Sequence, residues 1–249
     1  HTNGARIANP VILEKLRRGR VNGTLVYPNA FAGAILLLLP VSLALALTGT
    51  RGMRPWLRYL VITLCAGLGL GCLYWTGSKS GWLIAIGMAV LGFALRAPGS
   101  PRTKIGVAAV IAAAGLVVFG LRFQSYFAGG ATSVSARFDY WRAAVQVVRE
   151  HPVVGTGPGT FQRPYARLKA PESEMARLTH NDYLQQASDS GIPGFIAYAA
   201  WIAGIVGIGA RKIASPVTFA IYLGICGWFA QGLSEFSLYI PALAWTAFA

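Results

Sequence analysis

Charge is what this chain has least of. Only 12% of its 249 residues are Asp, Glu, Lys or Arg, where a soluble domain carries about a quarter, and this excludes an ordinary soluble globular fold. Acid is scarcer than base, 8 residues against 22. Six of the eight acids fall between Val134 and Gly194, and the loop acids Glu172, Glu174, Asp182 and Asp189 form no tight carboxylate pair for a divalent cation. Beyond His1 there are only two histidines, His151 and His180, and a zinc site takes three or four ligands. Cys65, Cys72 and Cys226 all lie in apolar segments. The first two are roughly 10 Å apart along one helix, so packing is expected and neither a disulfide framework nor a metal site. No cofactor or metal is expected. The net charge of +14 is divided among short clusters between apolar runs, where lysine and arginine act as topological anchors. No single basic face can be assembled, so nucleic acid is not an expected partner.

What is present in quantity is apolar sequence, 55% of residues, in runs near the roughly 20 residues that a helix needs to cross a bilayer. Ala30–Leu47, Trp56–Trp75, Trp82–Leu95 and Ile105–Leu121 make four spans, with Pro40 an expected kink in the first. Phe195–Gly209 and Val217–Gly232 make a fifth and sixth, and Leu238–Ala249 begins a seventh that is cut off. The fold class is all-α, a polytopic helical membrane protein with one large helical loop. Starting at His1 and ending inside an apolar run, the chain reads as an internal fragment.

Loop charge orients the spans. Arg51, Arg54 and Arg58, then Arg96, Arg102 and Lys104, then Arg211 and Lys212 fall in alternate short loops, and the loops between carry only Lys79 and Glu235. By the positive-inside rule the first set is cytoplasmic. Residues 1–28 are then the end of an extracytoplasmic loop, 29–121 the first four spans, 122–192 an extracytoplasmic catalytic loop, and 193–249 the remaining spans. The basic residues Arg6, Lys15, Arg17, Arg18 and Arg20 run against this, but the rule is calibrated on short loops and need not govern a piece of a long one.

Inside the long loop, Ser135 as a cap and Pro152 as a stop predict a helix whose Phe138, Trp141, Val145 and Val148 lie on the membrane domain. Its other face presents Arg137, Arg142, Gln146 and Arg149. Glycines and prolines between Pro152 and Pro164 predict irregular structure. A second helix is expected from Glu172 to Ser190, ending at Gly191, with Arg177, His180 and Tyr183 or Leu184 on one face.

Each candidate group has two readings. His180 beside Asn181 and Asp182 is either a packing residue or a proton acceptor. Lys79, in the turn Thr76-Gly77-Ser78-Lys79-Ser80-Gly81, is either a snorkelling anchor or a phosphate contact at a helix N-terminus. His151 before Pro152 reads as a cap or packing residue.

The order of these groups resembles a known family. Arg20-x-x-Gly-Thr with Pro28-Asn29, the Thr76–Gly81 turn, Arg137-x-x-x-Trp141, His151-Pro152 with Gly155-Thr156-Gly157-Pro158-Gly159-Thr160-Phe161, and His180-Asn181-Asp182-Tyr183-Leu184 are similar to the O-antigen ligase and polymerase superfamily. The trailing Glu235-Phe236-Ser237-Leu238-Tyr239-Ile240-Pro241-Ala242 is similar to that family's late span. The resemblance implies a metal-independent glycosyltransferase of the bacterial inner membrane, with its active loop facing the periplasm or exterior. Its donor is a polyprenyl-diphosphate-linked glycan and its acceptor a glycan, lipid or protein. It implies that arginines hold the diphosphate and that the loop histidine serves the acceptor. Arg137 matches a family arginine and His180 the histidine, so these two are the expected catalytic residues. Lys79 stands where the family commonly has arginine, which keeps the charge but not a bidentate fork. Arg20, Asn29, Arg142, Gly157, Gly159, Arg177, Asn181 and Tyr183 complete the expected substrate-binding set. A transporter or flippase of an anionic lipid-linked glycan is the alternative from another class, since it would need the same basic groups to bind but not to react.

Overall fold

The computed structural model describes residues 19–248 apart from 22, 26 and 172. Arg6, Lys15, Arg17, Arg18 and Glu172 therefore lie outside the described residues. Among the described residues there are nine α-helices and no strand. Four long helices come first: α1 (Pro28–Gly49), α2 (Pro55–Thr76), α3 (Lys79–Arg96) and α4 (Pro101–Ala128). Proline opens three of them, where its missing N–H costs nothing. Ser78 and Ser100 cap α3 and α4 by accepting from Gly81 N and Thr103 N. The helix α1 continues through Pro40.

The loop supplies α5 (Thr132–Glu150) and α6 (Gln162–Leu168), and α7 (Asp182–Arg211) leads back through the bundle. After α8 (Pro216–Gln231) come a 3₁₀ turn at Ser237–Tyr239 and α9 (Pro241–Phe248). Helices α1 to α4 and α7 are long and apolar enough to cross a membrane. This is an all-α polytopic membrane protein. The expected sixth and seventh spans are shorter: α8 has 16 residues and α9 has 8, so α8 rises about 24 Å against a hydrocarbon core of about 30 Å.

The central helix is α1, which packs against α2, α3 and α8 and buries Ala32, Ile35, Leu36 and Leu37. Gly224 of α8 sits so close to the Leu37 carbonyl that any side chain there would collide with it, the small-residue contact that lets membrane helices approach. The outward faces of α2 and α4 stay apolar and open, with Leu68 69% and Val110 67% exposed, as lipid-facing surfaces must. At one end of the bundle Arg96 Nη2 donates to Ser215 O at 3.4 Å. At the other, Val21 N donates to Trp75 O at 3.0 Å, Asp182 N to Gly232 O at 2.7 Å and Gln231 Nε2 to Asn29 O at 2.6 Å.

The loop departs from expectation in three places. First, α5 starts at Thr132 and buries Tyr140, Ala143, Ala144 and Val147, while Phe138 and Val145 are exposed. The loop builds its own core, in which the buried α5 face meets Phe161, Tyr165 and Ala176, so the apolar row expected to lie on the membrane domain is turned away. Second, α6 occupies part of the stretch expected to be irregular, with Pro164 in its first turn. Third, the helix expected from Glu172 starts only at Asp182. Asn181 caps it by accepting from Leu184 N at 3.0 Å, and His180 before it has a left-handed backbone, φ 52°, which ends any helix arriving from upstream. Arg177, His180 and Tyr183 therefore do not share a helical face.

Nor does α7 stop at Gly191. It kinks there, φ 70° and ψ −170°, and resumes with Pro193 in the new first turn. The loop 152–159 is clamped to this kink. Thr156 N and Gly157 N donate to Ser188 O and Asp189 O at 2.9 and 3.0 Å, and Ile192 N donates to Pro152 O at 2.8 Å. A Cβ on Gly155 (φ 62°) would lie 2.5 Å from Asp189 C, and one on Gly191 2.5 Å from Val153 O, so both positions demand glycine on two grounds.

The architecture predicts which residues share a side of the membrane. In a cysteine-free background, single cysteines at Arg102 and Lys212 should react with an impermeant thiol reagent from one side, and a cysteine at Lys169 only from the other. Equal labelling of all three from one side of sealed vesicles would break this topology.

Candidate functional site

The described acid furthest along the chain is the hub of the site. Glu235 follows α8 and is only 5% exposed. Its Oε1 is paired with Arg137 Nη2 and accepts from Asn29 Nδ2 at 2.5 Å. Its Oε2 lies 3.5 Å from His180 Nδ1. One carboxylate thus faces an arginine from α5, an amide from the first turn of α1 and the histidine before α7. A buried carboxylate is costly unless charge and hydrogen bonds offset its lost hydration, so its surroundings are fixed by that need.

Arg137 is locked further. Its Nε donates to Ser234 O at 2.9 Å and its Nη1 to Ser133 O at 3.4 Å. Asn29 Oδ1 accepts from Arg20 Nη2 at 2.8 Å, and Arg20 Nε donates to Thr76 O at 2.6 Å. That carbonyl lies just before the turn to Lys79. The Lys79 Nζ sits 3.7 Å from the centroid of the Tyr126 ring, a cation–π contact, and Tyr126 Oη bonds Ser133 Oγ at 2.6 Å. The contacts close a ring from Lys79 through Tyr126, Ser133, Arg137, Glu235, Asn29 and Arg20 back to the Thr76–Ser78 turn. Arg122 lies at the same end, with Phe123 shared between its guanidinium at 5.4 Å and Lys79 Nζ at 5.5 Å.

His180 hangs on this ring. Its imidazole stacks on Tyr140 at 5.6 Å and meets the edge of Phe236 at 4.8 Å, and about a third of the side chain, 32%, is exposed. Among the described residues its buried Nδ1 makes no hydrogen bond, and a Glu235 carboxylate oxygen lies 3.5 Å from it. A carboxylate at Nδ1 favours the proton on that nitrogen and leaves the lone pair on Nε2. Burial pushes the Tyr140 phenol up from its ordinary pKa, so the surface under the imidazole stays neutral.

Of the residues predicted from sequence, Arg20, Asn29, Lys79, Arg137 and His180 come together here. The others do not join them. Asn181 caps α7 and donates from Nδ2 to Leu233 O at 2.9 Å. Tyr183 Oη donates to Phe229 O at 3.2 Å. Gly157 and Gly159 give their N–H groups to Asp189, and Arg177 is exposed on the irregular segment. Arg142 is roughly 140° round α5 from Arg137, five residues at 3.6 per turn, and its side chain is 80% exposed. Glu235, Tyr126 and Tyr140 were given no role from sequence. Glu235 carried a signal nonetheless, as the only charged residue after Lys212. Among the described residues no group of three or more His, Cys, Asp or Glu gathers as a metal site would.

A profile of the O-antigen ligase family matches residues 60–199, more than half of the chain. The chain belongs to the O-antigen ligase family. The matched stretch contains Lys79, Arg137 and His180, while Arg20, Asn29 and Glu235 lie outside it, so the ring joins ligase-family sequence to both flanks. An uncharacterised protein of Haemophilus influenzae is 33% identical over 72 residues, 26% of this chain and 18% of that relative. The match thus spans less than a fifth of the relative's length.

Because the side chains of Glu235 and Arg137 are only 7% and 17% exposed, removing the acid strands a cation. Glu235→Ala should lower stability by about 3 kcal/mol, read as a fall in the melting temperature of the detergent-solubilised protein. A melting temperature equal to the parent's would show that the pair carries no structural weight.

Proposed function

We propose that this chain transfers a glycan from a polyprenyl-diphosphate carrier to an acceptor hydroxyl at the outer face of the bacterial inner membrane. The observation that carries the proposal is the Glu235 carboxylate, which holds an arginine on one oxygen and a histidine on the other. Sugar–phosphate cleavage releases a diphosphate anion while a weak nucleophile loses a proton, and the ring puts basic groups beside a proton acceptor. Family membership supports glycan transfer in general.

In this reading Nε2 of His180 accepts the proton of the acceptor hydroxyl as its oxygen bonds to the anomeric carbon. The bond from that carbon to the phosphate oxygen breaks, and the electron pair leaves with the diphosphate. Glu235, 3.5 Å from Nδ1, orients the ring as it takes the proton, the part that a carboxylate behind a catalytic histidine plays. Lys79, Arg20 and Arg137 meet the charge of the leaving group, each charge-assisted contact contributing roughly 1.5 to 3 kcal/mol. Lys79 is well placed for this, at the first position of α3, the positive end of the helix dipole. The proposed orientation rests on the positive-inside rule, with Arg51, Arg54, Arg96, Arg102, Arg211 and Lys212 at the opposite end from the ring. Thiol labelling of position 169 in intact cells would support it, and labelling of position 102 there would reverse it.

His180→Gln should lower transfer from a radiolabelled lipid-linked glycan by roughly 10² or more, with donor binding and melting temperature near the parent's. Lys79→Ala should weaken donor binding, and Lys79→Arg should restore it. A stable His180→Gln protein that transfers at the parental rate would remove the histidine from the mechanism.

A further inference from the structure

The exposed face of α5 walls a cavity of about 700 Å³, closed on the other side by the end of α6 and the residues after it. It is distinct from the Glu235 ring. Its lining includes Phe138, Trp141, Arg142, Gln146, Arg149 and Lys169, with Asp139 its one acid, and Glu150 just beyond the lining accepts from Gln146 Nε2 at 2.8 Å. The Phe138 ring is 53% exposed and stands edge-on to Trp141 at 5.5 Å. Asp139 is engaged on both oxygens, with Arg142 Nη1 at 3.4 Å and Ser173 Oγ at 3.0 Å. The ammonium of Lys169 is turned to the carbonyls of Ala170, Pro171 and Ser173 at 2.9 to 3.4 Å. Arg149, and Arg142 beyond its contact to Asp139, present exposed guanidiniums at the cavity.

This combination selects a class of ligand. A cavity of this size suits a ligand of several rings. An exposed aromatic face offers a platform for the apolar side of a pyranose ring, and guanidinium forks fit carboxylate or phosphate bidentately. A neutral glycan would leave the surplus positive charge unanswered. Tyr140, which carries the imidazole, lies about 200° round α5 from Phe138 at 3.6 residues per turn, so the cavity and His180 are on opposite faces of this helix.

We propose that this cavity is a subsite for a saccharide bearing carboxylate or phosphate groups, held by Arg142 and Arg149 against Phe138 on the side of α5 away from His180. Its occupancy can be measured without turnover. The intact chain in detergent micelles is titrated with trigalacturonic acid and, separately, with the neutral maltotriose. Trigalacturonic acid should bind and maltotriose should bind at least about tenfold more weakly. The Arg142→Gln/Arg149→Gln double variant should lose roughly tenfold in affinity for the acidic probe, and salt should weaken binding in the parent. Both arginines are exposed, so the variant's melting temperature should match the parent's; if it does not, Arg142→Lys, which keeps the charge and loses the fork, should still bind more weakly. His180→Gln should bind the probe as the parent does. Equal binding of the two probes, parental affinity in the arginine variants, or no binding at all overturns the subsite. Trigalacturonic acid bound by a parent protein with no transfer would leave the binding site standing and overturn the transfer reading.

Discussion

One buried carboxylate, that of Glu235, constrains the loop-bearing end of this molecule. Glu235, 5% exposed, has to be met by charge and hydrogen bonds, since an ion out of water is unstable by several kcal/mol when left alone. Its partners come from places 98 and 206 residues away in sequence, so satisfying it draws the first turn of α1, the middle of the loop helix α5 and the residue before α7 to one point. Arg20 and Lys79 are then tied in through Asn29 and through Tyr126. In the proposed reaction, a carboxylate that serves an arginine with one oxygen and a histidine with the other would couple anion binding to proton transfer.

The scaffold around it is stiff where the site needs it. Asp182 N bonds Gly232 O, Gln231 reaches Asn29 O, and Asn181 reaches Leu233 O, which pins the start of α7 to the end of α8 beside Glu235. The glycine clamp at Gly155 and Gly191 fixes the angle at which α7 turns from the loop into the bundle. Groups held this way keep their geometry without reorganising during reaction, the condition under which fixed charges are most effective. The loop core of Tyr140, Phe161 and Tyr165 adds a wall on which His180 rests.

Much of this was legible in sequence, for reasons of scale. Apolar run length marks spans, and proline and serine mark where α1 to α4 begin. Lys79 and His180 could be named from their local setting, and Arg20, Asn29 and Arg137 from the resemblance to the ligase family. What local pattern could not show was contact across the chain. The face that α5 buries was misjudged because Phe138 and Val145 look like core, while the actual partners of that helix, Phe161 and Tyr165, lie in a stretch dominated by glycine and proline. The late start of α7 depends on the left-handed backbone at His180, which propensity does not signal for a histidine. Glu235 stood alone after Lys212, and only its distant partners gave it a role.

The central claim is that Glu235 acts on the reaction through His180. A double-mutant cycle in transfer rate, using Glu235→Gln, His180→Gln and both together, tests it most directly. Gln at position 235 keeps an oxygen that can accept from Asn29, so the cycle isolates the charge. Groups acting as one unit are non-additive, and the double variant should be slower than His180→Gln by much less than the Glu235→Gln factor, a coupling above about 1 kcal/mol. If the two losses simply multiply, to within about 0.5 kcal/mol, the carboxylate and the histidine work independently and the account is wrong at its centre.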